Sequence, residues 1–260
     1  MNCTAPLPRT PTRTARARGF TLIELMVTVA IALFLLGGLL TVVQNVRTTY
    51  ANQQSLAQLQ DQQRFAFTVI TDVIQAGSYF PDATIWTPAN SLPAAGPISG
   101  LSYQAGSAFS GQSGPPDSLG VRYRTALNDG VIVCDGSTNT GNPTHLYTNT
   151  FTVTLPAGGN PGTLNCSLDG GAPIVLVQGV QGLQLWYGVK RNFATNDYNV
   201  DTYLTAAQML PADWGNISTV RVQLTFTNPL AGLPDQPVPQ PATIIMERVV
   251  EVMGRAGVHT

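Results

Sequence analysis

The stretch GFTLIELMVTVAIALFLLGGLLTVVQNV, residues 19–46, decides the N-terminal part of the fold. From Leu25 to Val46 it contains 22 residues without a charged side chain, enough for a helix to cross a bilayer core of about 30 Å. One carboxylate, that of Glu24, stands just before this run. A charged side chain at the centre of a membrane-spanning helix costs about 2.5–3.5 kcal/mol on insertion scales, so the position of Glu24 requires an explanation.

The basic residues around this stretch indicate its orientation. Residues 1–19 contain no acidic residue and four basic ones, which are Arg9, Arg13, Arg16 and Arg18. This asymmetry places the N-terminus on the cytoplasmic side of the membrane. A cleaved secretory signal has a shorter apolar region followed by a small-residue cleavage site, unlike the present sequence. We therefore expect a signal anchor whose body lies outside the cytoplasmic membrane.

The helix is expected to continue past the membrane. Residues 47–76 contain neither proline nor glycine, and apolar side chains recur there at steps of three and four residues, at Leu56, Leu59, Ala66, Ile70, Val73 and Ile74. One helix over residues 20–76 would be roughly 85 Å long at 1.5 Å per residue. Its first half would be transmembrane and its amphipathic second half would pack on a globular head. Gly37-Gly38 weakens the helix and serves either a local bend or close helix packing.

The motif from Gly19 to Leu25 resembles the prepilin motif of type IV pilins and type II secretion pseudopilins. The resemblance implies that residues 1–19 form a leader, which a membrane-embedded prepilin peptidase removes between Gly19 and Phe20 before methylating the amine of Phe20. It also implies that Glu24 pairs with the N-terminal amine of a neighbouring subunit during assembly. A buried carboxylate is tolerable when it is paired in this way. The alternative is that Glu24 extends to the membrane interface near the helix end.

The rest of the chain divides into a loop and a head. Residues 77–118 are rich in Gly, Pro, Ser and Ala, which predicts a long irregular connection. Residues 119–260 contain about six strand patterns, in SLGVRYRT (118–125), FTVTL (151–155), PIVLV (173–177), GLQLWYGV (182–189), STVRVQLTFTN (218–228) and TIIMERVVEVM (243–253). We expect an α+β fold in which an antiparallel sheet covers the second half of the long helix. On the strand at 118–125, Arg122 and Arg124 are expected on a solvated face.

Two further stretches resemble the PilW family of type IV pilus minor pilins. They are RFAFTVITDVIQAGSYF (64–80) and the segment from Trp186 to Phe226, which runs from WYGV to VRVQLTF. The resemblance implies a type IV pilin-like fold. It does not extend over residues 82–180.

The cysteines suit an exported protein. Cys3 lies in the leader, while Cys134 and Cys166 lie far downstream without a Cys-x-x-Cys pattern or a histidine cluster. A disulfide between Cys134 and Cys166 is the favoured interpretation, and two buried free thiols are the alternative. Closing this loop would contribute roughly 3–4 kcal/mol by the chain-entropy estimate.

Few residues point to other chemistry. Without the leader the chain has 9 basic and 14 acidic residues, so no nucleic-acid binding is expected. Asp197, Asn199 and Asp201 alternate as calcium ligands do, but Thr202 and Gln208 occupy positions where an EF-hand has Gly and Glu, so an acidic surface hairpin is the alternative. His145 and His259 have no patterned catalytic partner, and we expect no enzymatic activity and no cofactor other than this calcium.

The function implied by the resemblance is that of a minor pilin that primes or joins type IV pilus assembly. It would be held in the inner membrane by one helix, with the head in the periplasm, and then enter the filament. Its partners would be the major pilin, other minor pilins and the prepilin peptidase. The alternatives are a J-like minor pseudopilin of type II secretion and a pilus-associated adhesin.

Overall fold

The computed structural model describes residues 19–192, 194, 199–233 and 238–255. The chain divides into two units, Met1–Ala51 and Asn52–Thr260. The described part of the first unit is almost entirely helical and belongs to α1, which runs from Leu22 to Ala76 and ends in the second unit. In this first unit every described side chain is exposed.

The second unit contains the end of α1, one further short α-helix, eleven strands and three 3₁₀ turns within the described residues. The short helix α2 spans Pro88–Ser91. The strands are β1 (Ala95–Ile98), β2 (Leu101–Tyr103), β3 (Phe109–Gln112), β4 (Ser118–Ala126), β5 (Thr144–Thr154), β6 (Thr163–Leu168), β7 (Ile174–Gln178), β8 (Val180–Val189), β9 (Thr202–Leu204), β10 (Ile217–Thr227) and β11 (Thr243–Glu251). The 3₁₀ turns span Ala206–Gln208, Asp213–Gly215 and Met253–Arg255.

The strands form three antiparallel sheets. A five-stranded sheet has the order β3-β4-β5-β6-β7, a four-stranded sheet has the order β11-β10-β8-β9, and β1 pairs with β2. At the centre of the four-stranded sheet, Val222 on β10 lies opposite Leu185 on β8 and Arg248 on β11. The inward side chains of β10 are fully buried, as the alternating pattern predicted, and they are Val220, Val222, Leu224 and Phe226.

The second half of α1 buries one face in the same core. Its buried residues are spaced by three or four positions and are Leu59, Gln63, Ala66, Phe67, Ile70, Val73 and Ile74. They form one cluster with the inward residues of the four-stranded sheet and of β4, β5 and β6. The α+β class and the antiparallel sheet in the head are therefore confirmed, and so are all six predicted strands. The sequence patterns missed β6 and β9, because β9 has three residues and β6 is interrupted by polar side chains.

The segment 77–118 differs from the irregular loop that its composition predicted. It contains α2, β1, β2 and β3, and Leu101, Tyr103 and Phe109 are at most 3% exposed. These few large side chains, spread among small residues, are enough to attach the segment to the head. Although the segment is rich in Gly and Pro, a short helix and three short strands form in it, each of three or four residues.

The prediction that Arg122 and Arg124 lie on a solvated face is wrong. Arg122 is 0% exposed, because the segment 77–118 covers this face of β4. Its guanidinium donates hydrogen bonds to the carbonyl oxygens of Pro93 (2.9 Å), Gln104 (3.3 Å) and Ser107 (2.9 Å). Arg124 is half-buried and donates to the carbonyl oxygen of Ser91.

The environment of Arg122 explains how a cation is held there. Its guanidinium carbon lies 4.1 Å from the centre of the Tyr103 ring, in a cation–π arrangement. Burial lowers the pKa of Arg122 to about 10, which leaves the side chain charged at neutral pH. Carbonyl oxygens and an aromatic face supply negative potential without a full charge, so they stabilise the cation inside the protein.

A disulfide joins Cys134, in the connection between β4 and β5, to Cys166 on β6. The two Cα atoms are 6.1 Å apart, and both side chains are buried in the core. The amide of Cys134 also donates a hydrogen bond of 2.8 Å to the Asn149 side chain on β5. The disulfide predicted from the exported character of the chain is therefore confirmed, and it fixes the long β4–β5 connection to the five-stranded sheet.

Replacing Arg122 tests the role of this buried cation. We expect Arg122→Ala to lower the free energy of unfolding by about 2–4 kcal/mol, because three buried carbonyls lose a charged donor. The control is Arg221→Ala, since Arg221 makes a half-exposed ion pair with Glu247 that contributes at most about 1 kcal/mol. Urea unfolding of the full chain in detergent, followed by tryptophan fluorescence, gives both values. Equal losses for the two variants would contradict this role.

Removing the disulfide tests the covalent constraint. The double variant Cys134→Ser/Cys166→Ser should lose roughly 3–4 kcal/mol of unfolding free energy, because its unfolded chain is no longer restricted by the closed loop. The variant Cys3→Ser serves as the control and should unfold like the wild-type protein. Mass mapping without reduction provides an independent check, and free thiols at both Cys134 and Cys166 would be incompatible with the structure.

Candidate functional site

The start of α1 is organised by its own sequence. Gly19, Phe20 and Thr21 precede the helix, which begins at Leu22. The hydroxyl oxygen of Thr21 accepts a hydrogen bond of 3.3 Å from the amide of Glu24. Thr-x-x-Glu is the spacing of a capping box, in which a threonine and a glutamate satisfy free backbone amides at a helix start. This spacing, from Thr21 to Glu24, is visible in the sequence and is the signal that predicts the cap.

The cap gives Glu24 a local role besides any role in assembly. A carboxylate in the first turn of a helix interacts favourably with the positive end of the helix dipole. Such an interaction is worth about 0.3–1 kcal/mol on an exposed helix, which is less than a buried carboxylate costs when it lacks a partner. The cap therefore explains why a glutamate suits this turn, but it does not by itself make the carboxylate tolerable in an apolar environment.

The junction between Gly19 and Phe20 is accessible. Both residues lie in non-helical backbone, and Phe20 is 80% exposed. Peptide hydrolysis requires an enzyme to surround the backbone of the cleaved bond, which the hydrogen bonding of a helix would oppose. The helix thus begins only at Leu22, and the junction itself lies outside regular secondary structure.

Residues 22–46 of α1 expose large apolar side chains all around the helix. Examples are Leu22, Ile31, Leu36 and Val46, each more than half exposed. By length and composition, α1 is able to cross a membrane, and it is the one helix of the described residues with that property. A helix that is apolar on every side requires lipid or other apolar helices around it.

The predicted calcium loop is only partly described. Asp197 lies outside the described residues, and no group of three or more potential metal ligands occurs within them. One carboxylate oxygen of Asp201 accepts hydrogen bonds from the amides of Arg191 and Asn192, so it has a local role in the turn. Calcium binding by Asp197, Asn199 and Asp201 stays a prediction.

An ion pair that the sequence patterns did not indicate stabilises the same region. Arg191 donates two hydrogen bonds, of 3.0 and 2.6 Å, to the two carboxylate oxygens of Asp213. These bonds lower the pKa of Asp213 below its usual range. Since 22 residues separate the partners in sequence, only the tertiary structure brings them together.

The histidines do not form a catalytic group within the described residues. His145 lies 2.9 Å from the carboxylate of Asp169, with both side chains 37% exposed, and its ring packs edge-on against Tyr147. This is an ordinary surface pair. His259 lies outside the described residues.

Two parts of the chain match known protein families. Residues 14–40 match the prokaryotic N-terminal methylation motif, and residues 138–249 match the family described as type IV pilus-assembly protein W. The second match includes the stretch 186–226 and begins within the region 82–180, where no resemblance was apparent from the sequence. Comparison with curated proteins found no match. The chain is therefore similar to type IV prepilin-like proteins at its N-terminus, and its head is similar to the PilW family of type IV pilus assembly proteins.

Proposed function

We propose that this protein is a minor pilin that primes or joins the assembly of a type IV pilus. The observation that carries the proposal is the combination of an apolar helix behind a methylation motif with a PilW-like head. Such a subunit is held in the inner membrane by its helix, with the head in the periplasm, before it enters the filament. The major pilin and other minor pilins are its partners there.

The proposed processing acts on the accessible junction described above. The prepilin peptidase hydrolyses the peptide bond between Gly19 and Phe20, which releases a leader with four arginines. The peptidase then transfers a methyl group from a sulfonium methyl donor to the new amine of Phe20, which loses a proton as the N–CH₃ bond forms, and the donor is released as a thioether. This chemistry belongs to the peptidase, and we propose no catalysis by the pilin itself.

Glu24 has its proposed role after processing. In an assembly of apolar helices, its carboxylate pairs with the amine of Phe20 on a neighbouring subunit. Breaking a buried ion pair by removing one partner costs about 3–5 kcal/mol, so this pairing strongly favours helices that associate in the correct register. The capping interaction with Thr21 holds the glutamate backbone in the first helical turn and so positions the carboxylate near the end of the helix.

The match of the head supports a pilus rather than a type II secretion system. The prepilin motif is shared by pilins and pseudopilins, so it does not distinguish the two. Residues 138–249 are similar to a family described by its role in type IV pilus assembly, which favours the minor pilin over the J-like pseudopilin. An adhesive role is compatible with a minor pilin and would be an additional function.

The N-terminus of the protein tests the proposed processing. In cells with prepilin peptidase, mass spectrometry should identify a mature chain that begins at methylated Phe20. In cells without the peptidase, the chain should retain residues 1–19. A chain that keeps its leader in both strains would refute the proposal, because a pilin cannot present the Phe20 amine while the leader is attached.

Variants of Glu24 separate its charge from its capping role. Glu24→Gln retains a side chain that suits the capping box but removes the charge. We expect it to reduce incorporation into sheared pili about tenfold or more, because the neighbouring amine loses its partner. Immunoblots of sheared pili and of membranes measure incorporation against total protein. The control is Thr21→Ala, which removes the cap and keeps the charge. If Glu24→Gln were incorporated normally, the pairing would have no role.

A further inference from the structure

A groove in the second unit is bordered by α1, the connection that carries Cys134, and β7. The volume of this groove is about 320 Å³, and we call it the acidic groove. Its lining includes the apolar side chains of Phe65, Val69, Ile132 and Leu176, together with two carboxylates. The carboxylates belong to Asp72 on α1 and to Asp135, which follows the disulfide cysteine.

Several apolar side chains around this groove are about half exposed. Phe65 is 51% and Ile132 is 52% exposed. Ile174 and Val175, at the start of β7, are 43% and 55% exposed. Neighbouring exposed apolar residues of this size are typical of surfaces that bind another protein or a membrane.

The strand that borders the groove forms an uncharged edge of its sheet. β7 is an edge strand and its sequence, IVLVQ, contains no charged residue. By contrast, β11, an edge strand of the other sheet, carries Glu247, Arg248 and Glu251. Charged residues on an edge strand oppose unwanted association, and β7 has none, so this edge of the sheet is open to a partner.

The two carboxylates indicate the charge of that partner. Asp72 is exposed, and Asp135 is exposed and accepts two hydrogen bonds from Ser137 through one oxygen, Oδ1. Anionic lipid headgroups would be repelled by both carboxylates, so a membrane surface does not fit. A protein segment with apolar side chains and a basic residue complements the groove in both respects.

We infer that the acidic groove binds the helix of a neighbouring pilus subunit, through a helical face with apolar side chains and one basic residue. This chain itself presents such a face in its first unit, where Val43, Arg47 and Tyr50 are exposed at steps of three and four residues. In the complex, the partner's apolar side chains contact Phe65 and Ile132, and its basic residue pairs with Asp72 and Asp135. The inference rests on the proposed function, since it names the neighbour within the filament.

Photo-crosslinking in cells tests this contact. A photoreactive amino acid replaces Phe65 in the full chain, and a control places it at Leu210, which is 60% exposed and does not line the groove. In sheared filaments we expect the Phe65 position to give an adduct with the long helix of a pilin subunit, identified by mass spectrometry. The Leu210 position should not give that adduct. The inference would be overturned by an adduct with lipid, by an adduct with an extended segment of a neighbouring subunit's head, or by the absence of any adduct.

Charge reversal tests the electrostatic part of the contact. With the photoreactive group at position 65, the double variant Asp72→Lys/Asp135→Lys should give at least fivefold less of the helix adduct. This is roughly the reduction expected from the loss of about 1 kcal/mol of ion pairing. The matched control, Glu247→Lys/Glu251→Lys, makes the same change in net charge on β11 and should keep the adduct. An unchanged adduct in the groove variant would overturn the proposed charge pairing.

The amount of protein in the filaments separates the two proposals. If the wild-type chain is present in sheared filaments but gives no helix adduct from Phe65, the groove inference fails and the minor pilin function stands. If the wild-type chain is absent from filaments in a strain that makes pili, the proposed function fails, and the groove inference fails with it. Both quantities come from the same samples.

Discussion

The apolar surface of residues 22–46 is the constraint on which the rest of the molecule depends. These residues expose large apolar side chains on every side of α1, so this part of the chain requires lipid or other apolar helices around it. The same helix continues into the second unit, where residues 59–74 bury only one face in the head. A single helix therefore has two kinds of surface. Residues 22–46 are apolar on every side and suit a membrane, whereas residues 59–74 bury one face in the head.

This protein has few charged residues, and the positions of these residues are informative. Only 10% of the residues are charged, and several of those that the structure describes have defined partners. Arg122 is held by backbone carbonyls and an aromatic ring, and Arg191 is held by Asp213. Against this background, carboxylates in apolar surroundings are notable. We propose that the carboxylates of Glu24 at the start of α1 and of Asp72 beside the acidic groove each pair with a positive charge on a partner.

The head is held together by contacts that reach across long stretches of sequence. The guanidinium of Arg122 on β4 holds the segment 77–118 by donating hydrogen bonds to three backbone carbonyl oxygens of that segment. The disulfide does the same for the connection between β4 and β5. Both devices attach segments that are rich in small and polar residues and that have few apolar side chains of their own. The sheets supply most of the common core, and each attached segment adds a few buried side chains to it, such as Phe109 and Val133.

The sequence by itself determined the parts of this protein that depend on local pattern. The anchor, the continuous helix, six of the strands and the prepilin motif follow from unbroken apolar runs, from periodicity and from short-range spacing. Each of these signals is visible within a few helical turns or one strand. The pairing of Cys134 with Cys166 also followed, because few alternatives existed in an exported chain with two cysteines beyond its leader. Only the tertiary structure decided the fate of residues 77–118 and the burial of Arg122. The alternation on β4 shows that Arg122 points away from Tyr123, but it does not show what covers that face, since the covering residues are 15 to 29 positions away. The acidic groove has the same origin, because α1, the disulfide connection and β7 meet only when the chain has folded.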